Sequence, residues 1–538
     1  MRPYRPLTSH IMQTRSRLFQ IFPYALLIAA VTAAYANVYG NAFLLDDEFL
    51  ILKNSFLRSP QTLGALLTSS STAGSGGIDT FYRPLQGLIY FFVYQLAGLS
   101  TTAFHAVNVV LHAANACLVY ALGRRLGFHK NATFIAALLW ALHPVHTEAV
   151  TYMSATADPL YAFFCLLGAC VLLPDFSGKR LAASCACFAL ALFSKETAIV
   201  FPLLAMLCLF LVSSERLNPR LYFKTWPLWL VAGLFLLLRL YVLHFNDLQF
   251  YKQPNVYSEN IGVRLWTCLA TLPSYLRVFL WPNDLHMDRL FPAFGNPFHL
   301  PVIIGFILVL AAGGVIIWTR GRRGLPLAWG LGWFALAHAL HTGVLLPVNA
   351  LFLEHWLYLP SVGLLLGTAQ TVSDWAHPFN APIAKRAVMT AMAIIAVVLG
   401  ALTFRQNQVW RDPITFYETL LRYGSRSAST YNNLAMAYND RGDNLRAIEY
   451  YRAAIAAYDI FPQSHHNLAL ALLALPDRPA HVSEAIKELE RAIQMNPDFF
   501  QSYHALADLY ASLGDNEKAT AYRQKENEIL QRLFPDLK

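Results

Sequence analysis

Apolar runs of roughly 15 to 22 residues recur along this chain, near 19–39, 103–122, 132–150, 157–174, 180–194, 197–213, 225–244, 299–319, 325–347, 355–373 and 387–405. A run of that length crosses, or nearly crosses, the ~30 Å hydrocarbon layer of a bilayer. The spacing therefore predicts an all-α, polytopic membrane helix bundle of about eleven spans. Composition agrees. Of 538 residues, 56% are hydrophobic and 14% charged, against about 25% charged in a soluble globular protein. A soluble domain could not hide so much apolar surface.

Charge patterning orients the bundle. Basic clusters fall between alternate spans: Arg2, Arg5, Arg15 and Arg17; Arg124, Arg125 and Lys130; Lys179 and Arg180; Arg216, Arg220 and Lys224; Arg320, Arg322 and Arg323; Lys385 and Arg386. By the positive-inside rule these loops are cytoplasmic. An odd number of crossings then places residues from 406 onward outside the cytoplasm. The basic surplus is a membrane-flank signature and gives no reason to expect nucleic acid as a partner. Two apolar segments do not fit the count. Residues 262–282, with Arg264, Pro273, Arg277 and Pro282, read as interfacial or re-entrant, and Leu85–Leu99 as lying on the outer surface. The seven cysteines all sit in apolar runs, with no disulfide framework and no zinc-binding spacing.

The C-terminal region is different in kind. Leu434 recurs as Leu468 and Leu506, and Ala447 as Ala485 and Ala519, with a four-residue insertion around Pro476–Ala480 accounting for the unequal intervals. The pattern matches the tetratricopeptide helix-turn-helix unit. Small Ala435, Ala447 and Ala454 stand where two helices touch, Gly442 stands at the turn, and Pro462, Pro497 and Pro535 are read as ending the second helices. Three such units predict a short α-solenoid over 429–538, joined by a linker at 406–428 to a membrane domain of 1–405. Its concave face suits an extended peptide or a partner helix, a spacer or oligomer contact being the alternative.

Polar residues at membrane depth are costly and mark function. After the first span comes NAFLLDDEFLILKN, with Asp46, Asp47 and Glu48; crowding and desolvation would raise the pKa of at least one, as suits a general base or a metal ligand. A Ser/Gly-rich stretch, LTSSSTAGSGGIDT, reads as mobile and leads into FYRPLQGL, where Arg83 precedes a helix-starting Pro84 and could grip a phosphate or snorkel to lipid. LHPVHTEAV contributes His143, His146 and Glu148, followed by Asp158; Pro144 makes an ideal helical metal pair doubtful, and an active-site wall is expected. SKE contributes Lys195 and Glu196, a pair that either closes on itself or offers Lys195 to phosphate. LFLEHWLYLPS contributes Glu354, His355 and Tyr358, and WPNDLHMDRL adds Asp284, His286 and Asp288. All these motifs fall on the outer side, whereas structural pairs would scatter over both.

Taken in order, the DD pair, YRPL, FHAVNVVLH, HPVHTEAV, SKE, YLPS and the terminal repeats resemble the transmembrane and tetratricopeptide-repeat-containing family of O-mannosyltransferase-like proteins, of the C-type glycosyltransferase fold. The resemblance covers nearly the whole chain and is weakest over about 245–300. It implies a sugar carried on a polyprenyl phosphate, chemistry at the outer membrane face, and inversion at the anomeric carbon. It also implies Asp46 as base and Asp47 as a residue that positions the acceptor or a metal. Arg83, Lys195 and His355 fall at donor or phosphate positions, with His355 standing where relatives often have Arg. Glu48, His143, His146, Glu148, Asp158, Glu196, Glu354 and Tyr358 fall along the cavity. No cofactor is demanded, although a divalent metal ion is compatible with the acids.

The expected function is thus transfer of a hexose, mannose being the family's sugar, to an acceptor hydroxyl outside the cytoplasm, Ser or Thr of an exported protein in the first instance. The acceptor, a protein or polymer, is expected to be recruited by the repeats. Location is expected to be a bacterial inner membrane with periplasmic repeats, or alternatively an endoplasmic reticulum membrane with lumenal repeats. A non-catalytic scaffold and a transporter are the rivals; the latter lacks the paired broken half-helices it would need.

Overall fold

The computed structural model describes residues 7–533, apart from 78, 174–176, 246–254, 319–323, 349 and 377–381. Arg2, Arg5, Arg320, Arg322, Arg323 and Pro535 lie outside the described residues. Among those described, every regular element is helical. The chain divides into two compact units, Met1–Arg411 and Asp412–Lys538.

The first unit is built around the helix Thr101–Arg125. Ser100 caps its first turn through Oγ, and Arg124 and Arg125 stand at its negative C-terminal end. Gly127, at φ 83°, then lets the Phe128 N–H return to the Gly123 carbonyl at 3.0 Å. This helix packs on Ala157–Leu172 and Lys130–Ala141, burying Ala116, Val119, Ala136, Trp140, Ala162 and Cys165 almost completely. A second tight pair joins Leu325–His338 to Pro360–Ala376. Here Gly330, Gly363 and Gly367 bring two backbones into contact: a Cβ at Gly330 would meet the Gly363 carbonyl, and one at Gly367 the Pro326 carbonyl. Small residues four apart are how helices approach closely where no hydrophobic force can press them together in lipid.

Among the described residues, four helical stretches are long and apolar enough to cross a membrane: Thr101–Arg125, Met153–Leu172, Leu300–Trp318 and Arg386–Trp410. Met153–Leu172 is shielded inside the unit, whereas Leu300–Trp318 presents Leu300, Phe306, Ile307 and Leu310 outward, a bare apolar face that lipid would cover. The apolar stretches Gln20–Ala34, Glu196–Val212 and Trp226–Val242 are shorter. The run at 132–150 is corrected outright: its helix stops at Ala141, because Pro144 cannot continue it, and residues 144–156 form short turns that carry the HPVHTEAV motif. Twelve residues cover only about 18 Å.

The segment expected to be interfacial or re-entrant is also corrected in one respect. Ile261–Leu280 is a single continuous helix, with Pro273 inside it, so it does not turn back on itself. Pro273 has no N–H for the Leu269 carbonyl four residues earlier. That carbonyl faces Gly305 of Leu300–Trp318, where any Cβ would overlap it.

In the second unit three antiparallel helix pairs follow in order: Ala428–Asp440 with Asn444–Ala457, Pro462–Leu473 with Arg478–Met495, and Phe500–Ser512 with Asn516–Leu533. Ala435, Ala447 and Ala454 are buried at the helix contacts, and Gly442 turns at φ 81°. Pro462 opens the second pair at its first turn; the preceding helix has already ended at Ala457. Residues 406–428, expected as a linker, hold the turn Asn407–Trp410 and the helix Pro413–Arg422.

Candidate active site

The DD pair is set by a strained turn. Leu45 adopts φ 52°, a left-handed conformation that costs a β-carbon residue free energy. Beyond it the two acids part company. Asp47 is 1% exposed. Its Oδ2 accepts the Leu44 N–H at 2.8 Å, and its Oδ1 accepts both the Ser154 N–H, at 2.8 Å, and the Ser154 hydroxyl. Burial pushes the Asp47 carboxyl up to about 7, against these donors, which lower it. Asp46 is exposed, and its backbone N–H donates to the Tyr152 hydroxyl at 2.8 Å. Its carboxyl sits above the ordinary range because the surrounding chain desolvates it, against the Tyr152 hydroxyl and the Arg83 charge, which pull it down. Glu48 turns away into an ion pair with Lys53 at the surface.

Arg83 stands where loop meets helix, with Pro84 opening Pro84–Ala97. Its Nε and Nη2 donate to the two oxygens of Glu196 at 3.3 and 3.0 Å, and its guanidinium lies 4.5 Å from the Phe81 ring centre. Behind it Lys195 is committed to Asp158, donating to both carboxylate oxygens at 2.7 and 2.9 Å with both side chains almost fully buried. Asp158 still acts on Arg83 through its charge, so the two pairs belong to one electrostatic group.

A third pair joins distant parts of the chain. Glu148 accepts the His355 backbone N–H at 3.0 Å and its Nδ1 at 2.8 Å. That fixes the imidazole with a proton on Nδ1. Beside it Glu354 accepts the His286 N–H at 2.9 Å and lies 3.6 Å from Arg289. Burial, and then the Glu148 carboxylate, push the Glu354 carboxyl well above its ordinary range. Asp284 is drawn the other way: burial would raise it, but Arg277 at 2.5 Å and Arg289 at 3.3 Å hold it low. The buried His341 ring feels the charges of both Lys195 and His355, linking this group to the previous one.

Three expected cavity residues are placed elsewhere. His143 donates from Nε2 to the Phe279 carbonyl at 2.8 Å while its Nδ1 accepts the Val145 N–H at 3.2 Å, which makes it a turn-holding residue. His146 is wholly buried against Trp140 and Tyr358, and neither of its ring nitrogens has a hydrogen-bond partner among the described residues. Tyr358 is itself core, its hydroxyl bound by His112 at 2.8 Å and Asn115 at 3.1 Å. Among the described residues no three His, Cys, Asp or Glu side chains gather as metal ligands would.

Several participants escaped the sequence. Tyr152 and Ser154 carry no charge to draw attention. Arg289 was hidden among its acidic neighbours in WPNDLHMDRL. Arg239 had a usable signal, a lone cation in the apolar LFLLLRLYV. It is 7% exposed in a π-helical turn, donates to the Thr80 carbonyl at 3.0 Å, and lends its charge to Glu196.

Residues 83–244 match the family described as dolichyl-phosphate-mannose-protein mannosyltransferase, and residues 428–459 and 488–521 match tetratricopeptide repeats. Over 92% of its length the chain is 24% identical to Protein O-mannosyl-transferase TMTC3 of Mus musculus, of which it covers 62%. Over a shorter stretch, 25% of the chain, identity to Protein O-mannosyl-transferase TMTC4 of Homo sapiens is 35%, covering 20% of that protein. The chain thus spans about three fifths of the length of its full-length matches. A solved structure, ArnT from Cupriavidus metallidurans bound to undecaprenyl phosphate, aligns over 87% of this chain and 80% of its own at 15% identity and a TM-score of 0.39. The chain therefore unites a mannosyltransferase-type domain with tetratricopeptide repeats and is homologous over most of its length to the TMTC protein O-mannosyltransferases.

Proposed function

We propose that this homologue of the protein O-mannosyltransferases is an inverting membrane glycosyltransferase, which moves a hexose from a polyprenyl phosphate to a Ser or Thr hydroxyl of an exported protein at the outer membrane face. The observation that carries the proposal is the division of labour between adjacent acids. Asp47 is consumed by three donors, while Asp46, partly desolvated, keeps an accessible edge and feels the charge of Arg83. Asp46 is the base and Asp47 the residue that positions it.

In the reaction the acceptor oxygen attacks the anomeric carbon from the face opposite the phosphate. Its proton passes to the Asp46 carboxylate, the bond from the anomeric carbon to the phosphate oxygen breaks, and the polyprenyl phosphate leaves with the electron pair. Arg83 is assigned to that developing charge: its planar fork is only partly used by Glu196, and the charge of Arg239 also acts on that carboxylate. His355 has its Nδ1 on Glu148 and can reach the phosphate as a second donor, from Nε2, only as the imidazolium. Lys195 is assigned to holding Asp158, since both oxygens of that carboxylate already engage it.

The positive-inside pattern of the loops supports an outer site, and the repeats are assigned to acceptor recruitment. Incubating the purified chain with labelled mannosyl polyprenyl phosphate and a Ser/Thr-rich acceptor protein tests the reaction. Label should enter the acceptor, and do so with inverted anomeric configuration. Labelled lipid left intact, with the chain folded and the acceptor bound to it, would turn the proposal toward a scaffold. A reporter fused after residue 428 should be active only outside the cytoplasm.

A further inference from the structure

Over its described residues the Ser/Gly-rich stretch of the first outer loop, expected to be mobile, is folded, and it walls a pocket whose occupant the reaction above leaves unassigned. The Ser71 N–H donates to the Phe81 carbonyl at 2.9 Å, Ser71 Oγ to Asp79 at 2.8 Å, and Ser55 Oγ to the Gly74 carbonyl at 2.6 Å. A Cβ at Gly74 would collide with the Asn54 side chain, so glycine is what lets the loop close there. The pocket lies between this loop and the first turns of Pro84–Ala97.

Its lining is two-faced. Ser69, Ser70, Arg83 and Gln86 supply polar groups, and Leu66 and Tyr90 an apolar and aromatic surface. A few placed polar groups against an apolar wall suit a ligand with the same division, and a pyranose ring has one: hydroxyls round its rim and C–H bonds on its faces. Gln86 is 2% exposed. Its Nε2 donates to the Ser154 carbonyl and the Tyr90 hydroxyl, both at 2.8 Å, which fixes the amide, and Oε1 is left without a partner among the described residues. A buried acceptor held in one orientation with nothing donating to it calls for a ligand donor, and a sugar hydroxyl is one.

Position selects among the possible occupants. Arg83 lines the pocket and is also the residue assigned to the donor phosphate. In a polyprenyl-phosphate sugar the ring is bonded directly to that phosphate, so a ring beside Arg83 falls within reach of Gln86, three residues further along the same helix. Asp46 is absent from the lining, which leaves the base on the acceptor's side. We infer that this pocket is the subsite for the hexose ring of the donor, and the inference rests on the donor reading above.

The test compares binding of mannosyl polyprenyl phosphate and bare polyprenyl phosphate to the full chain in lipid nanodiscs. Ser69→Ala with Ser70→Ala removes two hydroxyls without adding bulk, and Gly87→Ala places a Cβ 3.3 Å from Leu66 and narrows the pocket. Each change should weaken the mannosyl lipid by about fivefold, the scale of one or two hydrogen bonds, and leave the bare lipid within about twofold. Equal weakening of both lipids, or no change in either, overturns the subsite. A raised acceptor KM with both lipid affinities intact also overturns it, by giving the pocket to the acceptor. If the unaltered chain binds neither lipid, the donor reading itself falls, and the subsite with it.

Discussion

Asp47 reaches across 107 residues of sequence to Ser154, taking its backbone N–H at 2.8 Å as well as its hydroxyl. One buried carboxylate thereby ties the loop after the first span to the turn that precedes Ala157–Leu172, and Asp46 is carried on that tie. The two acids should then fail differently. Asp46→Asn should lower transfer by about 10²- to 10⁴-fold with melting temperature and donor binding near normal. Asp47→Ala strands the Leu44 and Ser154 donors and should cost about 2–4 kcal/mol of stability, seen as a lower melting temperature in detergent. Full turnover in Asp46→Asn alongside lost turnover in a stably folded Asp47→Asn would reassign the base.

The Lys195 and Asp158 pair should behave as a structural unit. Removing one partner leaves a buried charge, so Lys195→Met alone should destabilise by about 3–5 kcal/mol. Lys195→Met combined with Asp158→Asn should recover most of that loss. Donor affinity in the double variant separates the roles: retained affinity fits a structural pair, and a loss of tenfold or more in a well-folded double variant would make Lys195 a phosphate ligand.

Gly305→Ala places a methyl group against the Leu269 carbonyl that Pro273 leaves without its intrahelical donor. Backbone cannot give way as a flexible side chain can. The expected cost is about 1–3 kcal/mol, with a similar cost for Gly367→Ala against the Pro326 carbonyl. A stably folded chain carrying both changes with an unaltered melting temperature would contradict these helix contacts.

His465 sets a pH dependence in the repeats. Its Nδ1 lies 2.6 Å from Glu488 and its Nε2 2.7 Å from Asp459, which Arg491 also approaches at 2.9 Å. Burial works to lower its pKa, but the two carboxylates overcome that and raise it above 6.5. A raised folded-state pKa means that the contribution is complete below the unfolded value and is lost as pH rises through the folded value. Hydrogen exchange in Pro462–Leu473 should therefore quicken as pH rises above about 6.5, beyond the intrinsic rise. In His465→Gln that extra change should disappear; its persistence would place the titrating group elsewhere.

Local pattern alone carried much of this protein. Runs of apolar residues announce helices for lipid because a buried backbone must bond to itself, and the repeat spacing of Leu434, Leu468 and Leu506 announces paired helices because each pair needs its neighbour to cover its apolar face. Costly ions at membrane depth pointed to Arg83, Glu148, Lys195, Glu196 and His355, and the structure pairs every one of them. Which ion meets which was decided only by tertiary structure. Glu148 meets His355 across 207 residues and Arg83 meets Glu196 across 113, and no local period encodes such closures. The neutral participants, Tyr152, Ser154 and Gln86, were illegible for a related reason. A hydroxyl or amide is inexpensive anywhere along a chain and becomes informative only when folding removes the water and leaves one partner within reach.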